Sequence, residues 1–289
     1  MRLRFRLAKC NLLEQRAGCV RSVEVWPARS DRQAERLREL IAVLQSVDPD
    51  FVTVTYGAMG SSRARSLALI EELVALGFDV VAHLACLGNS RDELVDLIHR
   101  YRSLGVCGVL ALRGDPPLES TTGFGASELH HASELVELIR QESDLPVMVA
   151  LHPDGHPDST DIASDRNFAA EKLGNADLGL TQFFFDYASF VGLQSDMMAR
   201  GVTTPIVPGL MVPSSPKQLL RMTEIAGIQP PPYFASADWD LDNGLDRFRA
   251  LALDGALTLA RRALEDGARG VHLFSMNSAQ VTAEFFARL

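Results

Sequence analysis

The stretch "GVCGVLALRGDPP" (105–117) decides how the chain is read. From Gly105 to Leu112 every residue is small or apolar, with no polar residue alternating among them. A strand of that composition is buried on both faces, the condition of a parallel sheet covered by helices. Arg113, Gly114 and Asp115 follow at once, and Pro116 and Pro117 stop the run. A cation and a carboxylate at the mouth of a buried strand are a local ion pair, ordinary solvated loop charge, or part of a site. The other strand ends decide among these.

Seven more runs carry a strand signal: "SVEVW" (22–26), "FVTVTY" (51–56), "FDVVAHL" (78–84), "PVMVAL" (146–151), "LGLTQF" (178–183), "PIVPGL" (205–210) and "GVHLFS" (270–275). With "GVLAL" (108–112) they make eight. Helical periodicity lies between them. Ala34, Leu37, Leu40, Ile41 and Leu44 share one face over 31–46, and Leu94, Leu97, Ile98 and Tyr101 share one over 92–104. The segments from Ser133, over 189–198 and over 251–264 behave alike. Eight strands alternating with helices in 289 residues predict an α/β fold, a single (β/α)8 TIM barrel. A doubly wound sheet competes, but the Gly-rich turn it would place after an early strand is missing from "SVEVWPARS" (22–30). The reading is one domain over 1–289, with a short N-terminal extension (1–19) and a loop insertion near 228–244, where "IQPPPYFASADWDLDNG" is the longest irregular segment.

Composition sets the partners. The chain is 47% hydrophobic and 22% charged, enough for a large core, and its formal net charge is −9. Nucleic acid, which selects basic surfaces, is excluded as a partner. No run reaches the ~18 apolar residues that span a bilayer, so no membrane is expected. Arg2, Arg4, Arg6 and Lys9 are not followed by the apolar stretch of a signal peptide. Cys10, Cys19, Cys86 and Cys107 show no CxxC spacing, which predicts no metal and a reduced, cytoplasmic protein of open oligomeric state.

In a barrel, chemistry gathers where strands meet the loops that follow them. Those positions carry Glu24 inside the first strand with Trp26-Pro27 closing it, Thr55-Tyr56-Gly57, His83, Arg113-Gly114-Asp115, His152 with His156 beyond it, Gln182, and Gln218 on the helix after the seventh strand. A glutamate inside an apolar strand loses its water. Unless paired, its pKa rises and it can serve as a general acid. A buried salt bridge, with Arg113 as one partner to consider, is the structural alternative. His83 and His152 taken singly read as hydrogen-bonded core histidines.

The residues "VEVWP", "FVTVTYGA", "AHLAC", "ALRGDPP", "HPDGHP", "TQFFFD" and "IVPGLMVPSSPKQ" resemble, in that order, the strand-end motifs of the methylenetetrahydrofolate reductase family. That resemblance implies a (β/α)8 barrel that reduces 5,10-methylenetetrahydrofolate to 5-methyltetrahydrofolate. In the usual member FAD relays the hydride from NADH or NADPH. Carried over by position, the resemblance makes Glu24 the general acid that protonates N10 of the folate and opens its five-membered ring to an iminium ion. Asp115 becomes the fixed negative charge facing that cation. Gly114 would let backbone approach the ligand. Gln182 matches the amide that reads the pterin, and Gln218 a further folate contact. Thr55, His83, Arg113, Gly114, His152, His156, Asp165 and Lys172 fall at cofactor-binding positions. Of Phe183, Phe184 and Phe185, at least one belongs to the core at strand spacing, and none is given a stacking partner.

Most of the departures lie on the flavin side. In "SDRNFAAEKL" (164–173), Asp165 and Lys172 match, whereas Phe168 stands where the family has Asn and Glu171 where it has Arg. A carboxylate replaces a cation that would meet a pyrophosphate. A residue is missing just after Lys172, His152 replaces a tyrosine, and Ser278 replaces a substrate-contacting arginine. The pattern favours direct hydride transfer from NADH or NADPH to the folate, with FAD absent. A conventional FAD-dependent reductase is the alternative, and a non-catalytic folate-binding paralogue is a second. Glu24 weighs against the latter, because a pure binder has no need of a desolvated acid. The same chemistry run in reverse, as folate demethylation, stays open.

Overall fold

The computed structural model describes residues 19–56, 63–114, 127–235 and 244–289. Asp115, residues 1–18 of the N-terminal extension and the stretch 236–243 of the Pro-rich segment lie outside the described residues. Eight parallel strands close a barrel in chain order: β1 (Val20–Val25), β2 (Phe51–Val54), β3 (Val80–Ala85), β4 (Gly108–Leu112), β5 (Val147–Leu151), β6 (Leu178–Phe183), β7 (Ile206–Met211) and β8 (Gly270–Phe274). β8 pairs with β1 and completes the ring. Every strand read from the sequence is present, with ends shifted by at most two residues. The fold is a (β/α)8 barrel.

Helices α1 (Asp31–Val47), α2 (Arg63–Ala75), α3 (Arg91–Leu104), α4 (Ala132–Glu142), α5 (Ile162–Gly174), α6 (Tyr187–Ala199) and α7 (Pro216–Ala226) each follow their strand. A four-residue helix, α8 (Pro232–Ala235), and the long α9 (Gly244–Glu265) lie between α7 and β8, and α10 (Ala279–Arg288) ends the chain. The sequence reading has no helix at α2, α8 or α10. It also starts α9 at Leu251, because Asp246, Arg247 and Arg249 hide a first turn whose buried anchor is Phe248. Local chemistry sets the starts. Ser90 and Glu93 form a reciprocal capping box on α3, and Ser215 caps α7 with Pro216 in its first turn.

Strand alternation divides the apolar residues into two cores. Val23, Val25, Val52, Val54, Val109, Val147 and Val149 face outward and pack under the helices. Val20, Phe51, Val81, Leu110, Met148, Leu178, Leu180 and Val207 face inward and fill the barrel. Above this inner plug the inward positions become polar: Ser22 and Glu24 on β1, Thr53 on β2, His83 on β3 and His272 on β8. The plug keeps solvent from reaching them from below.

The β1–β8 seam is tight at its base. A Cβ on Gly270 would lie 2.5 Å from the Cβ of Val20 and closer still to its carbonyl oxygen. Gly270→Ala is therefore expected to destabilise by about 1–3 kcal/mol, the usual effect of overpacking. Thermal unfolding checks this, at about 2–4 °C per kcal/mol for a chain of this class. An unchanged Tm would mean that the seam relaxes freely.

Candidate active site

Above the polar layer the barrel opens into a cavity of about 560 Å³. Its wall follows from strand alternation and from the loops just beyond it. Glu24 of β1, His83 of β3 and Gln182 of β6 face it, as do Thr55 after β2, His152 after β5, and Gln218 and Arg221 of α7. Glu24, Thr55, His83, His152, Gln182 and Gln218, far apart in sequence, thus share one wall.

Glu24 sits in a neutral environment. Its side chain is 16% exposed, and burial pushes its carboxyl up to about 7. Among the described residues, the ionisable partner within ion-pair distance is His83, whose Nε2 lies 3.9 Å from Glu24 Oε2. Desolvation holds that imidazole down to about 3, so two neutral groups meet. The salt bridge with Arg113 considered from the sequence does not form. Arg113 lies 2.5 Å from Asp158 and does not line the cavity. The reason is geometric: β4 ends at Leu112, and Arg113 points away along the rim toward the loop after β5. A carboxyl still protonated near neutral pH is matched to general-acid work.

The two amides are held by their own surroundings. Gln182 Oε1 accepts from the Phe183 N–H at 2.9 Å, and Gln218 Oε1 accepts from Ser214 N–H at 2.6 Å and Ser214 Oγ at 3.0 Å. Each leaves its amide nitrogen to donate. Phe183 and Phe184 are both buried, the latter stacked on Phe190 at 5.4 Å.

The remaining cofactor candidates form a second group beyond His152. His152 and His156 meet edge to face at 4.6 Å, and the backbone N–H of His156 donates to Asp165 Oδ1 at 3.0 Å. Burial first, then Lys172, His156, Arg113 and Arg166, hold His152 down to about 3. Burial, with Arg113 adding to it and Asp165 opposing, holds Lys172 down to about 8. Asp165 is also bound to buried Arg166 at 2.8 Å, and Arg166 donates to the carbonyls of His152 and Pro153. That pair holds the loop from β5 to α5. On α5, Phe168 is 54% exposed and stacks on His131 at 6.0 Å, and Glu171 is exposed. Gly114 has φ 83°, and a Cβ there would meet Ala85 Cβ at 2.9 Å, so its glycine is required by the protein itself. Ser278 caps α10 beside a separate cavity of about 330 Å³.

Several residues here escaped the sequence reading. His272 lies inside the barrel with Nδ1 2.9 Å from Ser22 Oγ, and burial, with His83 beside it, holds it down to about 3. Its inward position on the last strand was the available signal. Asn277, at φ 50°, exchanges hydrogen bonds with the backbone of Trp26 and ties β8 to β1 above the cavity. No helix among the described residues is long and apolar enough to cross a membrane.

The methylenetetrahydrofolate reductase family model matches residues 11–289. The 5,10-methylenetetrahydrofolate reductase of Pectobacterium carotovorum is 29% identical over 263 residues, covering 90% of this chain and 87% of that one. The enzyme of the same name from Escherichia coli K12 is 28% identical with the same coverage. A probable methylenetetrahydrofolate reductase (NADH) of Oryza sativa is 28% identical over 277 residues, covering 89% of this chain and 46% of that one. Among solved structures, a Clostridium thermocellum protein described as binding two copies of 5-methyl-5,6,7,8-tetrahydrofolic acid superposes with a TM-score of 0.68 at 15% identity. The match covers 98% of this chain and all of that one, a likeness of fold.

Desolvation of Glu24 has a consequence for stability. Its folded pKa of about 7 stands above the ordinary 4.5, so between those values the folded chain holds a proton that the unfolded chain has lost. The stability it contributes is complete below about 4.5 and is lost as pH rises through 7. Glu24→Gln has no such loss. Its stability relative to the parent should rise between about pH 4.5 and 8 by on the order of 3 kcal/mol. Denaturant unfolding of both proteins across that range checks this. A pH-independent difference would remove the buried neutral carboxyl.

Proposed function

The chain belongs to the methylenetetrahydrofolate reductase family, and on that footing we propose that it reduces 5,10-methylenetetrahydrofolate to 5-methyltetrahydrofolate with a hydride taken directly from NADH or NADPH. The observation that carries the reaction is Glu24, a carboxyl buried at the reactive end of the barrel, where desolvation pushes it up to about 7. The proton on Glu24 goes to N10 of the folate. The carbon–N10 bond then breaks with its electrons moving to nitrogen, and the bridging carbon becomes an iminium ion on N5. The nicotinamide supplies the hydride that turns that carbon into a methyl group. Gln182 and Gln218 offer amide donors to the folate from β6 and from the helix after its neighbour β7. Asp115, outside the described residues, is assigned from its motif to the charge that faces the iminium. The cavity, about 560 Å³, is of a size to admit a pterin and the ring that faces it.

The residues toward α5 do not fit a resident FAD. A pyrophosphate needs uncommitted cations. Arg113 is paired with Asp158, and Lys172 faces Asp165. Phe168 and Glu171 bring an exposed ring and a negative charge to the same helix. A dinucleotide that leaves at every turnover needs only the affinity of a substrate, with KM of roughly 1 μM–1 mM. A resident flavin needs far more. His152 and the Arg113–Lys172 group are the proposed contacts of that substrate. The soluble, cytoplasmic setting expected from the sequence, and the single-domain reading over 1–289, belong to the same proposal.

Four measurements test it. Purified protein should show no flavin absorbance, and NADH deuterated on its transferring face should deliver the label to the product methyl group in an assay without flavin. Initial-rate plots should intersect, as a ternary complex requires. Glu24→Gln should lower turnover by roughly 10²–10⁴, the usual contribution of a general acid. Stoichiometric FAD, reduced by NADH and reoxidised by the folate, would overturn direct transfer and favour the FAD-dependent reading. Folate binding with no turnover under any donor would favour a non-catalytic paralogue.

A further inference from the structure

Three buried side-chain atoms among the described residues have no hydrogen-bond partner: Thr53 Oγ1, Thr55 Oγ1 and His83 Nε2. Buried polar groups are nearly always paired, so three together call for a physical reason. All lie on one side of the barrel, on β2, just past its end, and on β3. Thr53 is the register partner of Glu24 on β1. His83 stands two residues beyond Val81, the partner of Thr53, which brings it level with Thr55. Its Nε2 is 3.9 Å from Glu24 Oε2, too long for a hydrogen bond.

Among the described residues, the surroundings of Glu24 hold little else that could stabilise a negative charge. His83 faces it from β3, His272 from β8 and His152 from the end of β5, and desolvation keeps all three imidazoles neutral. Tyr56 lies at the end of β2, and Arg29 and Arg221 line the outer part of the cavity, where water screens them. His272 is already bonded to Ser22. Once Glu24 has given up its proton, its O–H electrons remain as a carboxylate with no adjacent countercharge among these groups. The positive charge has gone to the substrate.

We propose that Thr53, Thr55 and His83 are positioning residues for Glu24, three donors without partners while its carboxyl is neutral that close on the carboxylate left when its proton passes to the substrate. His83 must then carry its hydrogen on Nε2. The arrangement favours the product side of the proton transfer, because the donors gain partners only in the charged state. It asks for no motion beyond side-chain rotation within a rigid sheet. The proposal rests on Glu24 being the acid of the reaction above, but it makes a claim about the free protein that can be read without turnover.

The test titrates Glu24 directly, following its protonated carboxyl band by infrared difference spectroscopy, with Glu24→Gln to identify the band. Thr53→Val and His83→Leu each remove a donor and should raise the midpoint by about one pH unit, a tenfold change in the ionisation constant. Thr53→Ser and His83→Gln keep a donor and should return most of that shift. In steady state, the fall of kcat/KM at high pH should move upward with the midpoint while its plateau drops several-fold. Unshifted or lowered midpoints in Thr53→Val and His83→Leu overturn the proposal, as does a change confined to the KM for NADH, which would make His83 a dinucleotide contact. A protein that shows the predicted shifts but never turns over methylenetetrahydrofolate would refute the reductase reading and leave the donor set standing.

Discussion

The barrel interior excludes water below a polar layer, and the behaviour of the site depends on that exclusion. Val20, Phe51, Val81, Leu110, Met148, Leu178, Leu180 and Val207 form an apolar plug. Ser22, Glu24, Thr53, His83 and His272 sit directly above it, where an isolated charge is strongly disfavoured. Each ionisable group in the layer is consequently driven to its neutral form. The acid holds its proton to about 7 and the imidazoles lose theirs until about 3. One physical cause, desolvation, moves acid and bases in opposite directions.

Outside that layer the electrostatics change character. Beyond His152, the loop from β5 to α5 is built on charge: Arg166 bridges Asp165, Asp196 and two carbonyls, and Arg113 reaches Asp158 across the rim. The site therefore has a neutral floor, where protons can be held and moved, and a charged wall, where an anionic ligand would be met. An acid that must hold its proton until it gives it up suits the first environment. A phosphate-bearing donor suits the second only loosely, because its cations already have carboxylates.

Closure of the ring sets the precision of the floor. Ser22 and His272 meet across the β1–β8 seam, and Asn277 fastens the seam above them through the backbone of Trp26. The residues bracketing this seam are separated by nearly the whole chain, so no local preference could align them. Parallel register does so, with Glu24 level with Thr53 on one side and Phe274 on the other.

The eight strands, most of the helices and the barrel were legible in the sequence, because two-residue and 3.6-residue periodicities are local properties of the chain. So were Glu24, His83, His152 and Gln182 as strand-end residues, since a polar side chain interrupting an apolar run is visible without a structure. Helices α2 and α10 escaped, α2 in part because Ser66 on its buried face bonds to the Thr55 carbonyl and breaks the apolar pattern. Only the tertiary structure decided which polar residues meet. It turned Arg113 toward Asp158 rather than Glu24, brought His272 to Ser22, and left Thr53, Thr55 and His83 without partners among the described residues, beside an acid. Partnership and desolvation depend on what packs around a residue from distant strands, and closing the ring is what brings those strands together.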